Sequence, residues 1–318
     1  GKGRAGMSTR DEDFVSKVFV CNTHTPVLFF SSRGIVYRLK VYRLPEGNPQ
    51  ARGKALINLL PLEEGETITT GMPMPEDEES WGDLFIMFST ASGGIRRNRL
   101  SDFTNIMTNG KIAMKLDDGD ELIGVQTCSE EQDIMLAADS GKCIRFPVTE
   151  VRIFSGRTST GVRGIRLADG QKIVSMTMID HVELETDIRD AYLRMSKARR
   201  RLQGDEEENG AESETETETE ETATENGDET ASQHVTLSDE EFEALSEREQ
   251  FILTVTENGY GKRTSAFEYR TTRRGGQGVV NIATEGRNGA VAASFPVEDG
   301  DQMMLVTDGG KIIRSPVA

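Results

Sequence analysis

Short apolar runs alternate along this chain with small polar turns at a regular interval. Five of these turns contain a glycine that is followed four residues later by an arginine. The pairs are Gly34 and Arg38, Gly93 and Arg97, Gly141 and Arg145, Gly259 and Arg263, and Gly310 and Arg314. Glycine permits the positive φ that a tight two-strand turn requires, and strand-forming residues flank each one. The pattern therefore predicts five β-hairpins, which define repeats one to five.

A second apolar pattern, Gly-x-x-x-apolar-x-Leu/Ile, follows each of the first four hairpins. Its copies are Gly53 with Ile57 and Leu59, Gly110 with Met114 and Leu116, Gly161 with Ile165 and Leu167, and Gly276 with Val280 and Ile282. The alternation predicts a further strand in each repeat. Successive hairpin glycines lie 59, 48, 118 and 51 residues apart. A unit of about 50 residues is typical of propellers and solenoids.

The doubled interval indicates an insertion, which we expect from near residue 183 to near residue 250. Apolar residues at helical spacing predict a first helix over residues 186–203. Ser238 and Glu241 form a capping-box pattern, and Leu237 and Phe242 a hydrophobic staple, which predict a second helix. Residues 204–232 alternate Glu and Thr with almost no apolar residue, so we expect a disordered tether between the two helices.

The formal net charge of −17 is concentrated in the insertion. Of the 37 basic and 54 acidic residues of the chain, residues 205–249 hold one and 19, respectively, which leaves a net charge of +1 elsewhere. If the hairpin turns face one rim, that rim is positive and suits a phosphate backbone. Two hypotheses stay open for the acidic tether. It is a solvated spacer, or it competes with DNA for the basic rim in a salt-sensitive manner.

Residues for catalysis or metal binding do not form a recognisable pattern. His24, His181 and His234 have no partner at motif spacing, and Cys21, Cys128 and Cys143 show neither metal-ligand spacing nor a paired framework. Such cysteine usage suits a reducing cytosol. We expect no membrane span and no signal peptide. Residues 273–278 resemble a phosphate loop but lack its Gly-Lys-Ser/Thr ending.

Arginine and lysine recur on the predicted turns, and we expect them to contact DNA phosphates in a sequence-tolerant, salt-dependent way. The candidate DNA-binding residues are Lys2, Arg33, Arg38, Arg43, Arg52, Lys54, Arg96, Arg97, Arg99, Lys111, Arg145, Arg152, Arg157, Arg163, Lys262, Arg263, Arg270, Arg273, Arg274 and Arg314. Trp81 is the only tryptophan, which argues against a platform for stacking single-stranded bases.

Taken together, these runs resemble the C-terminal domain of the DNA gyrase A protein. The segments that carry the resemblance are residues 22–26, 30–34, 40–45, 58–62, 115–125, 160–167 and 257–264. Gly1, Lys2 and Gly3 match the tail of that family's box, Gln-Arg-Arg-Gly-Gly-Lys-Gly, and residues 273–278 echo the box in the fourth repeat. Most of the box and the end of the last repeat are therefore expected to be missing, which puts tight wrapping by this chain alone in doubt.

The resemblance implies an all-β fold, a β-pinwheel of about five to six four-stranded antiparallel blades with truncated terminal blades. The expected divisions are the box tail and lead-in (1–13), the first blades (14–183), the helical and acidic insertion (184–250) and the remaining blades (251–318). The family wraps duplex DNA around a basic outer rim and thereby supports negative supercoiling by the ATP-dependent holoenzyme.

The resemblance further implies a bacterial, cytoplasmic and nucleoid-associated topoisomerase component that has no membrane partner. Its protein partners would be the remainder of the gyrase A protein and the gyrase B protein in a heterotetramer. The chain would not be an enzyme by itself, because the catalytic domains lie elsewhere. It would bind no cofactor, since the holoenzyme would use ATP and Mg through other domains.

Two alternative functions stay open. One is the C-terminal domain of the topoisomerase IV A protein, which would sense DNA geometry and usually lacks the box. The other is a propeller that docks proteins, with which the near-zero charge of the repeats is compatible. Salt dependence separates DNA binding from protein docking, because only phosphate contacts lose affinity steeply as salt rises.

Overall fold

A computed structural model describes residues 22–46, 58–203, 235–298, 301–306 and 312–316. The chain divides into two compact units. The strand unit comprises Gly1–His181 and Gln250–Ala318, and the helical unit comprises Val182–Glu249. The helical unit coincides closely with the insertion that the repeat spacing predicts. The predicted acidic tether, together with Gly53, Ile57 and Gly310, lies outside the described residues.

The five predicted hairpins are confirmed. Their strands are β1 (Pro26–Ser31) with β2 (Ile35–Lys40), β4 (Phe85–Thr90) with β5 (Gly94–Arg99), β8 (Gln132–Ala138) with β9 (Lys142–Pro147), β13 (Phe251–Thr256) with β14 (Gly261–Ser265), and β17 (Gln302–Val306) with β18 (Ile312–Pro316). Gly34, Gly93, Gly141 and Gly259 all have positive φ, between 74° and 93°. The all-β expectation is therefore correct for the strand unit.

A longer strand follows the hairpin in each of the first four repeats and pairs antiparallel with its first strand. These strands are β3 (Ile68–Pro73) beside β1, β7 (Leu122–Cys128) beside β4, β12 (Ile173–Asp180) beside β8, and β16 (Val291–Val297) beside β13. Each repeat thus supplies three strands of its own sheet. The hairpin's second strand is left with one free edge.

Short strands from the next repeat cover that edge in the first three sheets. They are β6 (Lys111–Ile112) on β2, β10 (Ile153–Phe154) and β11 (Val162–Arg163) on β5, and β15 (Val279–Val280) on β9. The resulting orders are β3-β1-β2-β6, β10-β5-β4-β7 with β11 also on β5, and β12-β8-β9-β15. Strand exchange therefore links each of these repeats to its successor. The fourth sheet has the order β14-β13-β16 within the described residues.

The exchanged strands correct the predicted register of the second pattern in the fourth repeat. Gly110 and Gly161 directly precede their short strands, and the residue in the same place before β15 is Gly278, not Gly276. Gly278 has φ of +72°, and a Cβ there would lie 2.4 Å from the Cys143 carbonyl oxygen. Val280, the first apolar residue of the predicted pattern, is 70% exposed. The sequence offers three nearby glycines, and only packing selects the one that touches the neighbouring backbone.

The hydrophobic core lies between consecutive sheets. In the first cluster, Phe30 of the first repeat meets Phe88 and Phe103 of the second, with ring centroids 5.6 and 5.8 Å apart in edge-on geometry. Trp81 is fully buried in the same cluster. A second cluster joins the second and third repeats, and a third joins the third and fourth. Because each sheet buries residues against the next, the repeats stabilise one another in series.

The helical unit contains the two predicted helices, α1 (Thr186–Gln203) and α2 (Asp239–Arg248). The capping box is confirmed: the Glu241 amide donates to Ser238 Oγ at 3.2 Å, and the Ser238 amide donates to Glu241 Oε2 at 2.8 Å. Tyr192 of α1 stacks on Phe242 of α2 at 4.8 Å between ring centroids. An aromatic contact and a satisfied helix start therefore hold this unit together.

Two thiols are protected inside the sheets. Cys128 is 8% exposed and Cys143 is 2% exposed, and burial raises the pKa of each to about 12. In a Cys21→Ser variant at pH 8, we expect iodoacetamide to label the native chain about 100-fold more slowly than a free peptide thiol, because the thiolate is the reactive form. Mass spectrometry measures the rate. Both thiols should react at once in guanidinium chloride, and complete labelling of the native chain within minutes would contradict this expectation.

Candidate nucleic-acid interface

The repeated arginine lies on the second hairpin strand and reaches into the following repeat. In each of the first three repeats, its guanidinium donates to backbone carbonyl oxygens of a short 3₁₀ turn in the next repeat. The donor and acceptor residues are Arg38 with Thr104 at 2.7 Å, Arg97 with Val151 at 2.8 Å, and Arg145 with Ala266 at 2.7 Å and Tyr269 at 3.3 Å. Thr104, Val151 and Tyr269 follow the ends of their turns, where carbonyl groups lack partners within the turn, and a guanidinium offers five donors in a fixed array. The Ala266 carbonyl oxygen accepts from the Tyr269 amide as well as from Arg145. The arginine is thus a clamp between repeats.

Three candidate arginines are buried, so the expectation that they are displayed on turns is wrong. Arg96, Arg97 and Arg145 are 0%, 4% and 5% exposed, and they lie within β5 and β9. Burial lowers the pKa of Arg96 to about 10, so it remains protonated at neutral pH. The spacing from glycine to arginine is the same for an outward and an inward side chain. Only the packing of the next repeat shows where the charge is used.

The clamp in the third repeat contains a buried carboxylate. Asp133 is 0% exposed, and its Oδ2 accepts from Arg145 Nε at 2.9 Å and from Thr271 Oγ1 at 3.3 Å. Its Oδ1 lies 2.8 Å from His181 Nδ1. The carboxylate therefore joins the third repeat to the fourth. His181 was not assigned a role from the sequence, because its partner is 48 residues away and belongs to no spacing motif.

Other repeats place an aromatic ring where Asp133 stands. Phe85 and Phe251 occupy the same position relative to the hairpin glycine. The guanidinium carbons of Arg97 and Arg263 lie 4.8 and 3.9 Å from the centroids of these rings. A ring holds an arginine by cation–π attraction, whereas a carboxylate holds it by a charge-assisted hydrogen bond. Arg97 also pairs with Glu130 at 2.9 Å, but that carboxylate is 52% exposed, whereas Asp133 of the third clamp is fully buried.

The remaining candidate cations lie at the surface or close to it. The exposed ones are Arg33, Arg43, Arg99, Lys111, Arg152, Arg163, Lys262, Arg270 and Arg273. The partly exposed ones are Arg38, Arg157, Arg263 and Arg274. Lys2, Arg52, Lys54 and the side chain of Arg314 lie outside the described residues. Arg33 is paired with Glu63 at 2.5 Å, so part of its charge is already neutralised.

A polar groove of about 440 Å³ lies at the junction of the second and third repeats, and we call it the junction groove. Lys115, Arg163 and Arg166 line it, together with small and hydroxyl-bearing residues. Asp120 also lines the groove. Its carboxylate is already hydrogen-bonded within the protein, because it accepts from the Ser92 amide at 3.0 Å and from Ser92 Oγ at 2.5 Å. The groove thus presents three cations between two repeats, together with the exposed carboxylate of Asp117.

Sequence reasoning missed Lys115 and Arg166. Both follow the buried apolar residue of the second pattern, Met114 in one repeat and Ile165 in the next, and both are exposed. Alternation along that pattern was a signal for them, because the neighbour of an inward residue on an extended segment faces outward. Two repeats therefore carry a cation on the second apolar pattern, in addition to the cations predicted on the turns.

Residues 273–278 of the fourth repeat run alongside the third repeat's part of the groove. The Arg166 amide donates to the Gly276 carbonyl oxygen at 2.8 Å, and the Gly275 amide donates to that of Gly164 at 2.7 Å. Arg274 Nη1 donates to the Arg163 carbonyl oxygen at 2.6 Å. The box-like segment thus places further arginines close to Arg163 and Arg166. Arg274 acts mainly as an anchor there.

The family model described as DNA gyrase C-terminal domain, beta-propeller, matches residues 1–22, 25–73, 85–129, 132–180, 250–298 and 301–318. The chain belongs to this family. The match omits the whole of the helical unit, as expected for an insertion. Its six segments include the five hairpins seen in the structure and one additional segment at residues 1–22.

Relatives among characterised proteins carry the same family name. The DNA gyrase A subunit of Granulibacter bethesdensis (strain ATCC BAA-1260 / CGDNIH1) is 52% identical over 320 residues, covering 99% of this chain and 33% of the relative. The DNA gyrase A subunit of Escherichia coli (strain K12) is 37% identical over 318 residues, covering 100% of this chain and 28% of the relative. The chain thus spans a third or less of these relatives' length, as the C-terminal domain of a gyrase A protein.

Solved structures of low sequence identity share the fold. The C-terminal domain of DNA topoisomerase IV superposes with a TM-score of 0.69 at 18% identity, covering 98% of this chain and 76% of that one. A DNA gyrase A C-terminal domain gives 0.58 at 21% identity, covering 92% and 73%. The β-pinwheel expectation is therefore correct. The sequence comparisons identify the gyrase A family, and these structures support the fold.

Two classes of feature are absent from the described part of the strand and helical units. No helix there is long and apolar enough to cross a membrane. No cluster of three or more His, Cys, Asp or Glu side chains there could hold a metal ion.

Proposed function

We propose that this domain binds duplex DNA without sequence preference along the exposed cations of its repeats and wraps it. The junction groove carries the proposal, because Lys115, Arg163 and Arg166 converge there from two repeats. Cations beside hydroxyl groups and backbone amides are the partners that proteins use for DNA phosphates. Contacts of this kind position the duplex without selecting bases.

Several repeats must act together to bend the duplex. Bending 20–30 base pairs costs on the order of 1–6 kcal/mol, which exceeds what one surface ion pair returns. The clamps of Arg38, Arg97 and Arg145 tie successive repeats by hydrogen bonds to backbone. Cations on one repeat are therefore held at a fixed spacing from those on the next. The entropy cost of arranging the repeats is consequently part of folding and does not weaken DNA binding.

In this proposal the domain serves a gyrase holoenzyme that introduces negative supercoils. Its partners are the remainder of the gyrase A protein and the gyrase B protein in a heterotetramer in the bacterial cytoplasm, associated with the nucleoid. The domain contributes no catalytic group or cofactor of its own. ATP, Mg²⁺ and strand cleavage belong to other domains.

Titration against a duplex of about 40 base pairs at 50–200 mM salt tests the proposal. Release of counterions from about five phosphates predicts a slope of log affinity against log salt near −4 to −5, equal for unrelated sequences. Fluorescence anisotropy measures the affinity. A slope shallower than about −1 would contradict DNA binding and favour a protein-docking propeller.

Nick closure of a circular plasmid in the presence of the domain tests wrapping. Gyrase-type wrapping predicts a shift in linking number that grows with bound domain. Binding with the predicted slope but without a linking shift would instead match the alternative of topoisomerase IV, in which the domain senses DNA geometry.

Competition by the acidic tether predicts tighter binding at low salt when residues 204–236 are deleted.

A further inference from the structure

One surface loop of the third repeat has its backbone carbonyl groups turned inward. This segment, residues 154–160, runs from the last residue of β10 towards β11, and we call it the Arg157 loop. The carbonyl oxygens of Phe154 and Gly156 accept from Asn98 Nδ2 at 3.3 and 2.8 Å. Those of Arg157 and Ser159 accept from Arg96 Nη1 at 2.9 and 2.7 Å. Two side chains of β5 thus hold four carbonyl groups of the loop.

Arg96 and Asn98 form one fully buried unit. Each is 0% exposed, and Arg96 Nε donates to Asn98 Oδ1 at 2.8 Å. The guanidinium lies 5.2 Å from the Phe88 ring centroid, and its Nη2 donates to the Ala113 carbonyl oxygen. Neither side chain can contact a ligand. Their other donors bind backbone carbonyl oxygens, except that Asn98 Nδ2 also donates to Asp102 Oδ2 at 2.9 Å. Any effect of the pair on a ligand must therefore pass through the Arg157 loop.

The amide side of the loop faces outward. Among the described residues, the amides of 156–160 find no protein acceptor, and neither do the hydroxyl groups of Thr158, Ser159 and Thr160. These three residues and Gly156 are exposed. Gly156 has φ of +130°, a conformation that other residues rarely adopt. A row of amide and hydroxyl donors beside an arginine is a surface to which phosphate binds.

This arrangement occurs once among the described repeats. The positions equivalent to Arg96 and Asn98 hold Tyr37 and Leu39, Ile144 and Phe146, and Lys262 and Thr264. Carbonyl oxygens turned towards a phosphate would repel it, so a loop that meets a polyanion needs them held away. Arg96 and Asn98 of the second repeat hold four carbonyl oxygens of the third repeat's loop in this way.

We propose that the Arg157 loop is a phosphate-binding site and that Arg96 and Asn98 are its positioning residues. The proposal rests on the proposed function in one respect, namely that duplex DNA supplies the phosphate in the cell. It assigns Arg96 a role in DNA binding that differs from direct contact. It also predicts that changes inside the protein alter affinity at its surface.

Amide chemical shifts of the ¹⁵N-labelled chain, titrated with inorganic phosphate and separately with a 40-base-pair duplex, test the site. Shifts of amides 156–160 with both ligands indicate a general phosphate site, and shifts with duplex alone indicate a DNA phosphate site; either supports the proposal. Duplex binding that leaves these amides unshifted would overturn it. A chain that fails to bind duplex but keeps the phosphate shifts would overturn the proposed function alone.

Two pairs of variants test the positioning role. Gly156→Ala perturbs only the loop backbone, because a Cβ there meets nothing within 4 Å; its control is Gly170→Ala, which also meets nothing and has φ of +79°. Asn98→Leu removes the buried donors; its control is Thr264→Val at the equivalent strand position.

Gly156→Ala and Asn98→Leu should each weaken duplex binding about three- to tenfold and reduce the salt slope by about 0.9, as expected for one phosphate. The controls should keep both values. Combining the two variants should lose no more than either alone, because both act on one loop, whereas a merely destabilised fold would leave the slope unchanged. Wild-type affinity and slope in both loop variants, at unchanged thermal midpoint, would overturn the positioning role.

Discussion

Replacing Arg145 by methionine is expected to lower the free energy of unfolding by about 3–5 kcal/mol. Methionine keeps most of the volume but leaves Asp133 in the core without its guanidinium, with Thr271 and His181 as its remaining hydrogen-bond partners. The Tyr269 carbonyl oxygen also loses the guanidinium as a donor, and that of Ala266 keeps only the Tyr269 amide. Removing the guanidinium from a buried carboxylate costs far more unfolding free energy than breaking an ion pair at the surface. The junction of the third and fourth repeats should therefore weaken first.

Urea denaturation followed by circular dichroism measures this loss, with the midpoint and the slope compared between variants. The double variant Asp133→Leu with Arg145→Met removes both charges and should recover part of the stability. Arg263→Met in the fourth repeat is a matched control, because its guanidinium is partly exposed over Phe251; we expect a loss of about 1 kcal/mol there. Equal losses in Arg145→Met and Arg263→Met would contradict the special weight given to Asp133.

Replacing Lys115, Arg163 and Arg166 together by glutamine is expected to weaken duplex DNA binding about 100-fold at 100 mM salt. Three lost phosphate contacts should also make the salt slope shallower by about 2.7. The three side chains line the junction groove from two repeats, so the triple change removes all the cations that line the groove. Fluorescence anisotropy at several salt concentrations measures both quantities.

The conservative triple variant Lys115→Arg with Arg163→Lys and Arg166→Lys controls for charge. It keeps every cation, so its salt slope should match that of the unaltered chain. Both triple variants should unfold at nearly the same urea concentration, since Lys115, Arg163 and Arg166 are exposed. If the glutamine variant binds DNA as the unaltered chain does, the junction groove is not part of the interface.

The local elements of this protein were predictable because their signals lie within a few residues. A glycine such as Gly34 or Gly141 with strand-forming neighbours specifies a hairpin turn, since few other residues adopt positive φ there. Ser238 and Glu241 likewise specify the start of α2, because the two residues cap each other's backbone amides. The repeat interval and its doubling then located the helical unit.

Contacts between repeats were not predictable, because they join residues that are distant in sequence. The strand exchange that brings β15 to β9, and the choice of Gly278 over Gly276, depend on which backbone comes close. Arginine side chains made this most evident. Arg97 and Arg145 share their spacing with candidates for a surface role, yet they are buried between sheets.

The five hairpins, the two inserted helices and the segregation of charge follow from the amino-acid sequence alone, because local conformational preference and composition specify them. Packing of one repeat on the next assigns Arg96, Arg97 and Arg145 to the core. It also brings Lys115 of one repeat together with Arg166 of the next in the junction groove. The sequence shows how many donors an arginine has, but its acceptors are carbonyl and carboxylate groups that come close only when the next repeat has folded against it.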